Sequence, residues 1–203
     1  LHFIHININS LLPKIDELRD IAKTTKASLI GITESKIDSS IFDSEISIDG
    51  YDLLRKDRNR HGGGVVCYIS NDISFNVLNI FPFEIENIFI DILLPKTKPF
   101  TVGFFYRPPT DNQFLEKIAS NFEKLLPNQK EIHILGDINI NVISNGKSIL
   151  DKNKNVEFNA SNISSIGTHY NEFCNTYSLT QLIESETGIT SHSSSLIDHI
   201  LTN

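Results

Sequence analysis

The sequence is short of thiols, of positive charge and of long apolar runs, and each shortage closes off a class of function. Its two cysteines among 203 residues, Cys67 and Cys174, lie 107 positions apart. They cannot build a disulfide framework or a thiolate zinc site, and they read as reduced intracellular thiols. Eighteen Lys+Arg against 25 Asp+Glu give a formal charge of -7. No global basic field therefore draws the chain to nucleic acid or to an anionic membrane, and any phosphate contact has to be local. No apolar stretch approaches the roughly 20 residues of a membrane span, and Leu1 opens without the charged region and cleavage site of a secretory signal. The expectation is a soluble, unsecreted chain. Met is absent altogether, and the chain begins and ends in strand-like text, which predicts a piece of something longer. What is present, 39% hydrophobic residues, suits one domain with a full core over residues 1–203.

The pattern opens as strand, helix, strand. Leu1 to Ile8 has strand character, and Pro13 precedes a helical spacing from Lys14 to Thr25 set by Ile15, Leu18, Ile21 and Ala22. Ala27 to Thr33 is then an apolar run of strand length ending at Glu34, a unit of the kind that builds a buried sheet with chemistry at its strand ends. Between Tyr51 and Arg107 strand-like runs alternate with turn-rich text, which predicts antiparallel hairpins. Asp111 can cap a helix running to about Leu126, followed by a strand from Ile132 to Leu135. Residues 139–165 hold seven Asn and five Ser without a clear period and read as a long surface excursion. His169 to Tyr177 looks helical and Leu196 to Leu201 strand-like. Together these elements predict an α/β layered sandwich.

Polar residues stand at the ends of apolar strands in four places: Asn7 and Asn9, Glu34, Asp137 and Asn139, and Asp198. Any one alone is explained by capping or turn formation, but such groups are costly to bury unless bonded or metal-bound. Carboxylates and amides without a Cys ligand make an oxygen site suited to Mg²⁺ or Mn²⁺ rather than Zn²⁺. Asn7 and Asn9 are two apart, as are Asp137 and Asn139, so on extended segments each pair shares a face. Phosphodiester hydrolysis needs a cation on the non-bridging oxygens, an oriented water and stabilisation of the leaving alkoxide, and this set supplies the first two.

Weaker signals surround it. Arg55, Lys56, Arg58, Arg60 and His61 form the one dense basic cluster and lead into Gly62-Gly63-Gly64, readable either as a DNA-backbone contact with bare N–H groups facing phosphate or as a solvated hairpin. The glycines lack the Gly-Lys-Ser/Thr ending of a nucleotide-binding loop, and no Gly-x-Ser-x-Gly elbow supports serine hydrolase chemistry. Asn159 and Asn162 match the glycosylation pattern by chance in an Asn/Ser-rich run. Phe81, Phe83, Phe89, Phe100, Phe104 and Phe105 alternate within strand text and read as core rather than as base-stacking platforms.

Five ordered segments carry a family resemblance: Asn7-Ile8-Asn9-Ser10-Leu11, Thr33-Glu34-Ser35, Phe105-Tyr106-Arg107-Pro108-Pro109, Leu135-Gly136-Asp137-Ile138-Asn139 and Ser195-Leu196-Ile197-Asp198-His199. The chain resembles the endonuclease/exonuclease/phosphatase superfamily. Arg55-Lys56-Asp57-Arg58, Gly62-Gly63-Gly64-Val65 and the Tyr-Arg-Pro-Pro run look more narrowly like the endonuclease domain of non-LTR (LINE-type) retrotransposon polyproteins. The resemblance implies a DNase I-like fold, two β-sheets flanked by helices and here lacking the last strand. It implies a Mg²⁺-dependent endonuclease, with Mn²⁺ as a substitute, that nicks DNA and leaves a 3′-hydroxyl for a reverse transcriptase domain of the parent polyprotein, at work in the nucleus.

By the same resemblance Asn7 and Asn9 line the metal and phosphate site, Asn9 and Glu34 as metal ligands, and Tyr106 sets its phenol against the scissile phosphate. Asp137 aligns or deprotonates the attacking water, and Asn139 holds phosphate oxygens. Asp198 orients an imidazole that the family carries on a later Asp-His strand, before which this sequence stops. His199 adjoins Asp198 and faces the other way, and His192 lies in a Ser-rich loop. Loss of a positioned acid/base group costs roughly 100-fold to 10,000-fold in rate, so the chain as it stands is expected to be slow. A phosphatase or phospholipase-type member of the same fold, and a catalytically impaired fragment of a decayed element, are the alternative readings.

Overall fold

The first two strands, β1 (Phe3–Asn7) and β2 (Leu29–Thr33), lie side by side and parallel, joined by helix α1 (Ile15–Thr25). A 3-10 turn containing Pro13 leads into α1, Asp16 and Glu17 sit in its first turn, and left-handed Lys26 (φ 48°) ends it, an arrangement that suits the helix dipole. A one-turn helix α2 (Asp43–Ile46) precedes β3 (Tyr51–Lys56) and β4 (Val65–Ser70), which complete a sheet of order β1-β2-β4-β3.

The second sheet begins with the antiparallel ladder β5 (Ser74–Leu78), β6 (Glu86–Leu93) and β7 (Phe100–Tyr106). After helix α3 (Phe114–Phe122) comes β8 (Ile132–Asp137), parallel to β7. The short pair β9 (Ile143–Ser144) and β10 (Lys147–Ser148) follows, then helix α4 (Ser165–Thr176), β11 (Thr180–Gln181), the pair β12 (Gly188–Ile189) and β13 (Ser194–Ser195), and β14 (Asp198–Thr202). The second sheet runs β11-β14-β8-β7-β6-β5. This computed structural model describes residues 1–125, 130–144, 147–148, 165–189 and 194–203. Most of the predicted excursion over residues 139–165, His192 and the two glycosylation matches lie outside the described residues.

Strand alternation sorts the core into three layers. Leu29, Val65, Cys67, Ile69, Ile88, Ile90, Ile92, Val102 and Phe104 fill the space between the sheets. Ile30, Ile32, Val66 and Tyr68 point outward from the first sheet onto Leu18 and Ala22 of α1. Phe89 and Phe105 point outward from the second onto Phe114, Ile118 and Phe122 of α3 and Phe173 of α4. The sheets approach so closely at Gly31 that a Cβ there would lie 2.0 Å from the Phe104 ring. The two-sheet sandwich expected from the sequence is the observed architecture. Among the described residues no helix is long and apolar enough to cross a membrane.

Two local expectations are corrected. The helix expected to be capped by Asp111 begins only at Phe114, with Gln113 before it, because Asp111 Oδ1 accepts the Gln113 N–H (3.0 Å) and closes a turn first. Of the phenylalanines read as core, Phe89, Phe104 and Phe105 are buried, but Phe83 is 86% exposed. It sits in the connection before β6, where strand alternation does not apply.

Candidate active site

Two hydrogen bonds join the sheets along one rim, where the carboxyl ends of both parallel pairs meet. Asn7, the last residue of β1, donates Nδ2 to Asp137 Oδ2 at the end of β8 (2.7 Å). Tyr106, the last residue of β7, donates its phenol to Glu34 Oε1 just beyond β2 (2.7 Å). In the ladder Asp137 stands opposite both Tyr106 and Asp198. Asn7, Glu34, Tyr106, Asp137 and Asp198, contributed from five separate segments, thus meet at this rim.

The local backbone is set by side chain to main chain bonds. Asn7 Oδ1 accepts the Asn9 N–H (3.2 Å), and Asp137 Oδ1 accepts the Asn139 N–H (3.0 Å), so two strand ends with the same spacing close in the same Asx turn. Asn9 (φ 46°), Glu34 (φ 54°) and Asn139 (φ 50°) are left-handed, a conformation Asn tolerates and Glu resists. The expectation that each pair shares one face of an extended strand is corrected by these turns. Asn9 Oδ1 receives the Lys36 ammonium, and Asn139 Nδ2 donates to the Arg107 carbonyl (2.9 Å). Arg107, 2% exposed, in turn donates to the carbonyls of Asp111, Ile138, Asn139 and Pro109, tying the segment after β7 to the segment after β8.

Charge at the rim is strongly shaped by burial. Asp137 is 1% exposed. Burial, with Asp198 adding to it, pushes its pKa up to about 7 against the pull of the Asn139 N–H and the Asn7 amide. Burial also raises Asp198, whose Oδ1 is buried without a hydrogen-bond partner among the described residues. That oxygen lies 3.8 Å from His5 Nδ1. Burial lowers His5 to about 4, so its imidazole is neutral at pH 7 and the approach is a contact rather than an ion pair. His5 Nε2 instead meets Thr33 Oγ1 at 3.0 Å. Nothing in the sequence alone singles out His5, although its place two residues before Asn7 on β1 puts it on the face of Asn7. His199 does face away: its Nε2 meets the Ile140 carbonyl (3.1 Å) and its Nδ1 meets Tyr170 and Gln181.

The basic cluster divides by role. Arg55 directs all five of its N–H donors to Asp57, Asp43 and the carbonyls of Ile41 and Asp38, so it ties a loop rather than presenting a cation to phosphate. Arg58 bonds Glu86 Oε1 (2.9 Å), with its guanidinium 5.7 Å from the centre of the Tyr106 ring. Lys56 lies over Phe83, and Arg60 is exposed. Glu86, opposite Tyr106 on β6, also accepts the Gly64 N–H. That N–H is therefore not free to face a phosphate. Gly64 has φ +89° and room for no Cβ, since one would lie 2.3 Å from Ser35 Oγ.

Residues 4–203 match the Endonuclease/Exonuclease/phosphatase family. The chain belongs to that family. No curated protein matches the sequence significantly. Among solved structures, the endonuclease domain of TRAS1, a telomere-specific non-LTR retrotransposon, is similar at 16% identity with a TM-score of 0.69, over 98% of this chain and 83% of that one. An AP endonuclease from Archaeoglobus fulgidus matches at 15% identity and TM-score 0.68, over 98% and 85%. The AP endonuclease LMAP from Leishmania major matches at 11% identity and TM-score 0.74, over 99% and 78%. At these identities the likeness is one of fold.

Members of this Endonuclease/Exonuclease/phosphatase family are hydrolytic nucleases and phosphatases that generally depend on a divalent metal. Among the described residues no group of three His, Cys, Asp or Glu side chains is placed to hold a metal ion. The rim nevertheless fits a hard cation by another observation. One ammonium, that of Lys36, lies 3.2 Å from Glu34 Oε2 and also bonds Asn9 Oδ1. A carboxylate and an amide oxygen thus already converge on a single positive charge, and both are ligands of the type Mg²⁺ prefers.

Proposed function

We propose that this chain is a Mg²⁺-dependent phosphodiester hydrolase acting on DNA, a nicking endonuclease of the non-LTR retrotransposon type that leaves a 3′-hydroxyl for reverse transcription. The observation that carries the reading is the convergence of Glu34 and Asn9 on one cation beside a buried carboxyl, Asp137, poised near neutrality. Glu34 and Asn9 would hold the metal, with Mn²⁺ as a substitute. When bound, it would neutralise charge on the non-bridging phosphate oxygens and on the leaving alkoxide.

The chain's own groups do the rest. Asp137, with a pKa of about 7, can take a proton from water at neutral pH. The Asn7 amide and the Asn139 N–H hold its carboxyl in one orientation. The Tyr106 phenol is pushed above its usual pKa by burial and by Glu34, so it stays protonated and serves as a donor to phosphate oxygen. Asn139 has a second amide hydrogen besides the one given to Arg107, enough for one phosphate contact. In this role the chain would work on nuclear DNA beside a reverse transcriptase domain.

Supercoiled plasmid incubated with Mg²⁺, with Mn²⁺ and with EDTA tests the reading. Relaxation that requires the metal, and that falls more than about tenfold in Glu34→Gln together with weaker Mg²⁺ binding, is the expected result. Relaxation by Glu34→Gln equal to the wild type at limiting Mg²⁺ would overturn it.

A further inference from the structure

We propose that Phe83 and Lys56 form a stacking platform for an unpaired nucleobase at the flank of the rim, a proposal that rests on the DNA reading above. Phe83 is the most exposed of the large hydrophobic side chains described, at 86%. A lone exposed aromatic is ordinary on a protein surface; this one is held in place. Phe81 is wedged against Phe89 and Phe105 with ring centres 5.0 Å from each. Ile85 is buried in the same core, 1% exposed. The Ile85 N–H donates to the Pro82 carbonyl (3.0 Å), closing a turn with Phe83 and Glu84 at its tip. Anchors on both sides, and a proline with fixed φ, hold the turn that carries the ring outward.

One face of the ring is already covered. Lys56 Nζ lies 3.4 Å from the ring centre, a cation–π pair. Among the described residues nothing stacks on the opposite face of this exposed ring, and every nucleobase offers a π-face. The turn leads directly into Glu86, which stands opposite Tyr106 in the ladder and accepts the Gly64 N–H. Lys56 ends β3 opposite Val65, the residue after Gly64. The platform therefore borders the Tyr106 and Glu34 end of the site. Its tip carries Glu84, which together with Glu86 acts on the Lys56 charge. Glu86 is paired with Arg58, and Glu84 offsets the Lys56 charge, so the tip offers no surplus cation for a backbone phosphate and a base is the fitting occupant. Such a contact reaches nucleotides that are unstacked, at a distorted or single-stranded stretch beside the cut.

The chain contains no Trp, so Phe83→Trp makes the platform its own sole indole reporter. Its emission is titrated with a short oligothymidylate and with a strand of equal length made of abasic residues. The expected result is saturable quenching by the oligothymidylate and little by the abasic strand. Phe83→Ala should bind oligothymidylate about tenfold more weakly than the wild type while binding the abasic strand equally. Emission unchanged by oligothymidylate, equal quenching by both strands, or unaltered affinity in Phe83→Ala would each overturn the proposal. If the wild type relaxes plasmid in Mg²⁺ while these readouts fail, the platform falls and the nuclease reading stands. If the wild type neither binds nor cuts DNA, both fall.

Discussion

Replacing Asp137 by Asn should make the protein more stable and inactive, with the gain in stability confined to neutral and alkaline pH. The carboxyl is 1% exposed, and burial first, then Asp198, carries its pKa from 3.8 to about 7. A folded-state value above the unfolded one means that the folded chain binds the proton more tightly. The stability from that proton is complete below about pH 4 and is lost as pH rises through 7. At about 1.4 kcal/mol per pKa unit, ionising Asp137 in the folded chain costs about 4 kcal/mol in the absence of a cation. Asp137→Asn removes the charge and keeps the shape, but it does not recover the whole amount. The Asn7 amide and the Asn139 N–H aim donors at the two carboxylate oxygens. One of them would face the new NH₂ group, an opposition worth about 1–3 kcal/mol. The net gain at about pH 8 is then about 2 kcal/mol, a thermal midpoint raised by about 4–8 °C. Near pH 5 the folded carboxyl is neutral but the unfolded one is largely ionised, so only about 2 kcal/mol of the proton's stabilisation has been lost. That is about what the opposed donor costs the variant, and the two proteins should melt together. Calorimetry of both in EDTA across this range reads the difference. A difference that stays constant with pH would refute the reasoning, as would an Asn variant that still relaxes plasmid.

Gly31→Ala should destabilise by about 1–3 kcal/mol, because its Cβ would lie 2.0 Å from the Phe104 ring between the sheets; an unchanged urea midpoint would show that the sheets can part there. Arg107→Lys should lower the urea midpoint and slow cleavage together, since a lysine cannot reproduce the spread of carbonyls the buried guanidinium reaches; full activity would mean that this tie does not position Asn139. Lys36→Gln should lower the Mg²⁺ concentration for half-maximal relaxation by about fivefold, the effect of one charge at about 4 Å in water, because the ammonium no longer competes for Glu34 and Asn9. A raised requirement would indicate that Lys36 itself contacts phosphate.

Most of the fold could be read from sequence because the strands obey the simplest rule. In β4 Val65, Cys67 and Ile69 point between the sheets while Val66 and Tyr68 point to α1, and both sets are apolar, so the run announces a strand buried on two sides. The short pairs β9 with β10 and β12 with β13, and the one-turn helix α2, offer too few residues for any period to show. Phe83 departs from the core expected of it for a related reason: an apolar residue beside strands looks like core until the turn that displaces it is known.

The candidate site divides along the same line. Its residue types stand out in the sequence because polar groups at the ends of apolar runs are costly unless they meet partners. Which partner each one meets is settled across the chain. Asn7 and Asp137 are 130 positions apart and Glu34 and Tyr106 are 72 apart, and each bond crosses from one sheet to the other. Alternation holds only while the strand continues, and Asn9, Glu34 and Asn139 stand just where it stops, at positive φ. The turns that redirect them also place the Lys36 ammonium between Glu34 and Asn9. His5 is the opposite case. It lies inside a regular strand, yet it draws no notice because a histidine in an apolar run is unremarkable until Asp198 of the other sheet is found 3.8 Å from its ring. Strand periodicity therefore carries the scaffold, and long-range closure at the strand ends carries the chemistry.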